Sequence, residues 1–237
     1  MSQLGCLVKE YPPTYVAGCA HSGNTLMNAI IGSHSNIHAI KRETRMFVGG
    51  TRKLNVLMRR LYKQANTNGK CRWTEKTAQH IYFIDKLLWI NEARIILMLR
   101  DGRDVAYSLY KREGQIRRAV TKWKREGQIT IQYSNHPRTM LVKYEDLVTD
   151  FERIMTGVFE FIGEKYEEGV VRFYENYEKT TKPPDETDGE NHMQLRRWQL
   201  SQPLFDGRGR YKGFSLKQYK YVLSRQRKML LQLGYIE

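Results

Sequence analysis

Four stretches of the chain are almost continuously apolar and rich in β-branched or aromatic residues: 15–19, 71–74, 94–99 and 139–144. In the third, Arg94-Ile95-Ile96-Leu97-Met98-Leu99, both alternations are apolar. That pattern predicts a central parallel strand covered on both faces. Helical periodicity falls between and after these runs, over 25–33, 81–91, 102–114, 117–127, 151–163, 166–178 and 216–233. In the last of these, Leu216, Tyr219, Leu223, Leu230 and Leu233 share one face. Strands alternating with helices predict an α/β fold: a P-loop-like three-layer sandwich with a central parallel sheet flanked by helices, whose ligands sit beyond the carboxyl ends of the strands. Residues 179–213 break the alternation. They hold Pro183-Pro184, many polar positions and the run Asp206-Gly207-Arg208-Gly209-Arg210-Tyr211-Lys212-Gly213. So long a loop inside a compact domain reads as a functional lid, with Arg208, Arg210 and Lys212 closing on an anion.

The 237 residues fit one domain, 1–237, and 41% hydrophobic residues are enough for a real core. No apolar run approaches the roughly 18 residues of a membrane span. The N-terminal residues 1–9 have no basic region followed by a long apolar one, so no signal peptide is expected. Cys6, Cys19 and Cys71 are odd in number and scattered, with no metal or disulfide spacing. Together these features predict a cytoplasmic protein without a metal site. The net charge is +15, and residues 41–76 alone carry eleven Lys/Arg against two Glu. Such a surplus concentrates anions, whether a phosphorylated cofactor, an acidic acceptor, nucleic acid or an acidic surface.

Two motifs narrow these options. Gly18-Cys19-Ala20-His21-Ser22-Gly23-Asn24-Thr25 lies between the first strand and the first helix. A strand, a glycine-bounded loop and a helix N-terminus together point backbone N–H groups at a phosphate. The spacing is that of a nucleotide-binding P-loop, but Asn24 stands where the lysine for the β/γ-phosphates belongs. The ligand is therefore expected to be a phosphate compound other than ATP or GTP. The second motif, Arg100-Asp101-Gly102-Arg103-Asp104-Val105-Ala106-Tyr107-Ser108, follows the central strand. Arg100 at the strand end and Ser108 roughly two helical turns on can hold a second phosphate at the same sheet edge.

In this combination the chain resembles the sulfotransferases that use 3′-phosphoadenosine 5′-phosphosulfate (PAPS). Further matches follow in order: Glu75-Lys76-Thr77, Leu141-Val142-Lys143-Tyr144-Glu145-Asp146-Leu147, Phe161-Ile162-Gly163, the stretch from Gln202-Pro203 to Gly209-Arg210-Tyr211, and Leu233-Gly234-Tyr235. The resemblance implies that His21, Ser22, Gly23, Asn24 and Thr25 hold the 5′-phosphosulfate, with His21 in the place of a usual Lys or Arg. It implies that Arg100 and Ser108 hold the 3′-phosphate and that Lys76 touches the transferred group. The histidine base of the small-molecule enzymes is missing, because Ala78 follows Lys76-Thr77. Lys41-Arg42-Glu43-Thr44-Arg45 instead resembles the catalytic segment of tyrosylprotein and glycosaminoglycan sulfotransferases. On that likeness Glu43 is the base, with Arg45 orienting it or binding the acceptor beside Thr77, and His80 is the reserve base. Tyr144-Glu145-Asp146 reads as a structural brace. The expected acceptor is a hydroxyl or amine, on an acidic peptide or a glycan among other options.

Two other classes compete. A P-loop kinase would need a lysine at Asn24 and would claim Asp101 or Asp104 for Mg2+. A nucleic-acid-binding module would use the +15 charge and Lys122-Trp123-Lys124-Arg125, but no recognised nucleic-acid-binding pattern accompanies them.

Overall fold

The computed structural model describes residues 11–47, 54–90, 92–177 and 192–237. The readings that rest on residues 1–10, on 178 at the end of the predicted helix 166–178 and on 179–191 of the lid lie outside these. Among the described residues, five parallel strands form one sheet in the order β2-β3-β1-β4-β5. They are β1 (Thr14–Gly18), β2 (Ile37–Ala39), β3 (Arg72–Lys76), β4 (Arg94–Leu99) and β5 (Thr139–Lys143). The chain leaves β1 toward β2 and β3 on one side and returns to β4 and β5 on the other. The topological switch point, where open α/β sheets bind ligands, is therefore the carboxyl end of β1.

Successive residues of the central strands enter different cores. Val16, Ile96 and Met98 pack with α1 (Asn24–Gly32) and, later in the chain, α7 (Phe151–Ile162). Tyr15, Ala17, Ile95 and Leu97 pack on the other face with Trp73, Leu61 and Ala65, the last two from α2 (Leu54–Thr67). This two-sided burial is why β4 carries no polar alternation. A third cluster joins α4 (Gly102–Glu113), α5 (Ile116–Tyr133) and α9 (Leu216–Gln232) around Leu109, Trp123 and Val222.

Several predicted boundaries move. The segment 81–91 divides into 3-10 turns over Ala78–Phe83 and a short α3 (Ile84–Leu88). The segment 166–178 is also 3-10 turns, over Glu168–Asn176. Helix α5 runs past Gly127, where the periodicity reading stopped. A Cβ there would lie 2.8 Å from Met229 Cε, so this glycine serves the close packing of α5 on α9. Three elements were not foreseen: β2, too short for a period; α2, amphipathic but largely polar; and α6 (Tyr144–Thr149), which follows β5 without a break. The lid segment holds another, α8 (His192–Leu200). Cys71 is disulfide-bonded and Cys19 is a buried free thiol. The expectation of no disulfide is thereby corrected, and the cysteine usage no longer supports the expectation of a cytoplasmic protein. Among the described residues no helix is long and apolar enough to cross a membrane.

Gly18 launches the phosphate loop at φ 132°, and a Cβ there would sit 2.1 Å from the Met98 carbonyl oxygen. Gly18→Ala is expected to destabilise the fold by about 3 kcal/mol or more, combining backbone strain with overpacking. An unchanged urea midpoint would contradict this.

Candidate active site

Beyond Gly18 the chain is tied down on three sides. Cys19 N–H donates to Met98 O at 3.0 Å, which keeps the loop on the end of β4. Ala20 N–H donates to Glu126 Oε2 at 2.8 Å, and Asn24 Nδ2 donates back to Cys19 O at 2.8 Å. His21 (φ 60°) and Gly23 (φ 88°) take the left-handed conformations that turn the loop into α1. Met27 N–H donates to Gly23 O at 2.9 Å, so the helix opens there, and its first amides have no partner within the helix. Gly23, Asn24 and Thr25 line a cleft at this point, which puts a helix N-terminus on its wall. The Asn24 side chain thus closes the loop. Ser22 is buried outside the cleft lining, and its hydroxyl has no hydrogen-bond partner.

Opposite the loop, Arg100 emerges from β4. Its guanidinium stacks on Tyr144 at 4.2 Å, donates to Gly207 O and lies 3.5 Å from Asp104 Oδ2. Its Nε is buried and unpartnered. Asp104 accepts from Gly209 N–H and Tyr211 N–H at 2.9 Å each, and Tyr144 OH accepts from Gly207 N–H at 3.1 Å. Arg100, Asp104 and Tyr144 therefore latch the described end of the lid against α4 and the start of α6. The latch sorts the three lid cations. Arg210 lines the cleft, but Arg208 is exposed and paired with Asp206, and Lys212 is exposed and off the lining. The expectation that all three converge on one ligand is corrected by the left-handed turn at Gly209 and the 3-10 turn over Arg210–Gly213. Ser108 Oγ lies 2.7 Å from His21 Nδ1, so the two sequence motifs meet directly.

At the β3 side, Lys76 Nζ and Glu43 Oε1 form an ion pair at 2.7 Å. Burial pushes the Glu43 carboxyl up. The Lys76 hydrogen bond and charge, the Ala78 amide and the Arg196 charge outweigh this and hold it below the usual carboxylate range. Arg45 does not orient Glu43: its side chain is exposed, and its N–H donates to Thr77 Oγ1 at 3.2 Å. Glu43, though paired with Lys76 of the cleft lining, is itself off the lining and part-exposed; Thr77 and His80 are also off it and fully buried, which leaves neither in direct contact with an acceptor. Both surround Glu75, which accepts from Thr44 N–H at 2.9 Å and Thr44 Oγ1 at 3.1 Å, with His80 Nδ1 3.1 Å from its other oxygen. This buried group fastens the Glu43 loop to β3.

Other site residues escaped the sequence reading. Glu126, 1% exposed, binds Ala20 N–H, Tyr82 OH and Lys122 Nζ, bracing the phosphate loop from α5. Lys111 and Arg112 on α4, and Arg196 and Gln199 on α8, also line the cleft. The i+3 and i+4 spacing of Lys111 and Arg112 from Ser108 was the available signal for the α4 pair; α8 lay in what read as loop. The cleft holds about 450 Å³, within the usual range for small-ligand sites. Among the described residues seven Lys and Arg side chains line it and no carboxylate does.

The competing classes lose their residues here. Asp101 caps α4 and holds Arg103 at 2.6 Å, and Asp104 holds the lid, so neither carboxylate faces the cleft. Trp123 is fully buried and donates to Arg100 O at 3.0 Å, which makes it a packing residue and no stacking platform.

The sulfotransferase domain family matches residues 12–182. No curated protein matches the chain. Among solved structures, the sulfotransferase domain from the Synechococcus PCC 7002 olefin synthase has a TM-score of 0.57 at 12% identity, covering 92% of this chain and 95% of its own. Mouse sulfotransferase SULT7A1 complexed with PAP has a TM-score of 0.56 at 14% identity, covering 96% and 89%. Sulfotransferase STF9 from Mycobacterium avium has a TM-score of 0.54 at 12% identity, covering 96% and 78%. At these identities the structures establish the shared fold.

Proposed function

This chain belongs to the sulfotransferase domain family, and we propose that residues 1–237 act as one domain that transfers a sulfuryl group from PAPS to an acceptor hydroxyl or amine. The observation that carries this reading is the cleft at the topological switch point. A helix N-terminus and seven cationic side chains line it without a carboxylate. The buried, unpartnered Nε of Arg100, on the cleft lining, fits a ligand dense in anionic oxygens. PAPS, when bound, supplies the activated sulfuryl group.

The loop residues His21, Ser22, Gly23, Asn24 and Thr25 bind the 5′ end through backbone N–H groups and hydroxyls. Arg100, Ser108 and Arg210 bind the 3′-phosphate, with Tyr144 holding the Arg100 guanidinium flat. His21 donates toward the leaving oxygen, and its contact with Ser108 joins the two halves of the nucleotide site. Lys76 neutralises charge on the transferred group. Glu43 takes the acceptor proton. Its loop follows β2 and is fastened to β3 by Glu75.

Adenosine 3′,5′-bisphosphate (PAP) is expected to bind without added metal and to raise apparent stability by about 2.7 kcal/mol at a hundredfold excess over Kd. Saturating PAP in a chelating buffer should shift the melting temperature upward. No shift would remove the nucleotide assignment.

A further inference from the structure

The cations of the cleft are not equally occupied. Lys76 pairs with Glu43, Lys122 with Glu126, Arg100 with Asp104 and Arg112 with Glu113. Lys111 and Arg196 line the same cleft with no carboxylate within 4.0 Å among the described residues. Lys111 is nine residues into α4, about 14 Å along the helix from Gly102 at about 1.5 Å per residue. Arg196 comes from α8, on the same helix side as Gln199 and Leu200, which also line the cleft.

The surroundings of Arg196 locate it functionally. The charges of Glu43 and Arg112 both act on it, and it acts in turn on Glu43. Arg196 is therefore within electrostatic reach of both the proposed base and Arg112 on α4. Burial, with the Arg112 charge adding to it and the Glu43 charge opposing, holds the Arg196 guanidinium below its ordinary range. A half-buried cation without an ion pair is stabilised by any anion that arrives.

We propose that Lys111 and Arg196 form an anion subsite for the acceptor, so that this protein selects acceptors whose reacting hydroxyl neighbours a carboxylate or sulfate group. Gln199 supplies an amide beside the subsite for hydroxyls of the same molecule. The proposal rests on the sulfotransferase reading for the word acceptor, but the anion subsite itself can be measured apart from it.

The test uses protein saturated with PAP, so that the nucleotide cations are occupied. Binding of 4-nitrophenyl glucuronide, 4-nitrophenyl glucoside 6-sulfate and the neutral 4-nitrophenyl glucoside is measured by calorimetry. At least one charged glycoside should bind tenfold or more tightly than the neutral one, and which one does so identifies carboxylate or sulfate as the group read. Arg196→Gln and Lys111→Gln should each erase most of that preference while changing PAP affinity less than threefold. Lys217→Gln, an exposed cation on α9, should leave the preference intact. Equal binding of charged and neutral glycosides by the unaltered protein, or an undiminished preference in Arg196→Gln, overturns the proposal. Retained charge preference in a protein that fails to bind PAP would instead overturn the nucleotide assignment and leave the subsite standing.

Discussion

Glu43→Gln is expected to lower turnover by about 10²–10⁴-fold, the usual contribution of a general base, while PAP affinity stays within a few-fold of the original. The substitution preserves shape and still lets the side-chain oxygen accept from Lys76 Nζ, now 2.7 Å away. The loop itself should keep its place, because its fastening runs through Glu75 to Thr44 and not through Glu43. The pH profile adds a signature that a structural role would not produce. Glu43 is held below the ordinary carboxylate range, with Lys76 among the causes. The acid limb of the unaltered protein's profile should therefore lie below the ordinary Glu range. It should move upward in Lys76→Gln, because loss of the neighbouring cation favours the protonated carboxyl. Single-turnover rates against pH with a sulfated-product readout make the measurement. Near-normal turnover in Glu43→Gln would reassign the base. His80 is a poor heir, being 0% exposed and packed against Tyr15 and Phe47.

Arg100→Ala should weaken PAP by about 2–5 kcal/mol, the cost of truncating a charge-assisted contact, which is a factor of roughly 30 to several thousand. Adenosine 5′-phosphosulfate lacks the 3′-phosphate and should be affected far less. Arg100 also holds Gly207 O and stacks on Tyr144, so its loss alone could loosen the lid. Asp104→Asn supplies the comparison, since it disturbs the anchor of Gly209 and Tyr211 without touching the guanidinium's own charge. A lid effect weakens both nucleotides in either variant. A 3′-phosphate effect appears in Arg100→Ala and only for the ligand that carries that group. Equal weakening of both nucleotides by Arg100→Ala would show that Arg100 does not read the 3′-phosphate.

Much of this architecture is written locally. Strand β4 announces its central position because each side chain direction meets a helix layer, so no polar residue is tolerated on either alternation. The phosphate loop is legible because its geometry needs glycine: no larger residue fits at Gly18 against Met98 O. The Arg100 motif is legible because strand end and helix spacing place Arg100 and Ser108 at one edge, and Ser108 does reach the loop at His21.

What the sequence could not decide is which charged groups find each other. Burial periodicity fixes the face of an element, whereas an ion pair is fixed by where distant loops come to rest. Glu43 has Arg42, Arg45 and Lys76 among its basic candidates, and the brace at Glu75 turns it to Lys76, 33 residues away. The phosphate loop is held by Glu126, 106 residues from Ala20, through a contact that no local pattern marks. The three lid cations look equivalent in sequence. One left-handed glycine turn and the Asp104 anchor send Arg210 into the cleft and leave Arg208 and Lys212 outside it. Residues such as Lys111 and Arg196, polar and unremarkable along the chain, gain their meaning from the same cause. Only the tertiary fold brings α4 and α8 to the walls of one cleft, with no carboxylate in ion-pair reach of either cation among the described residues.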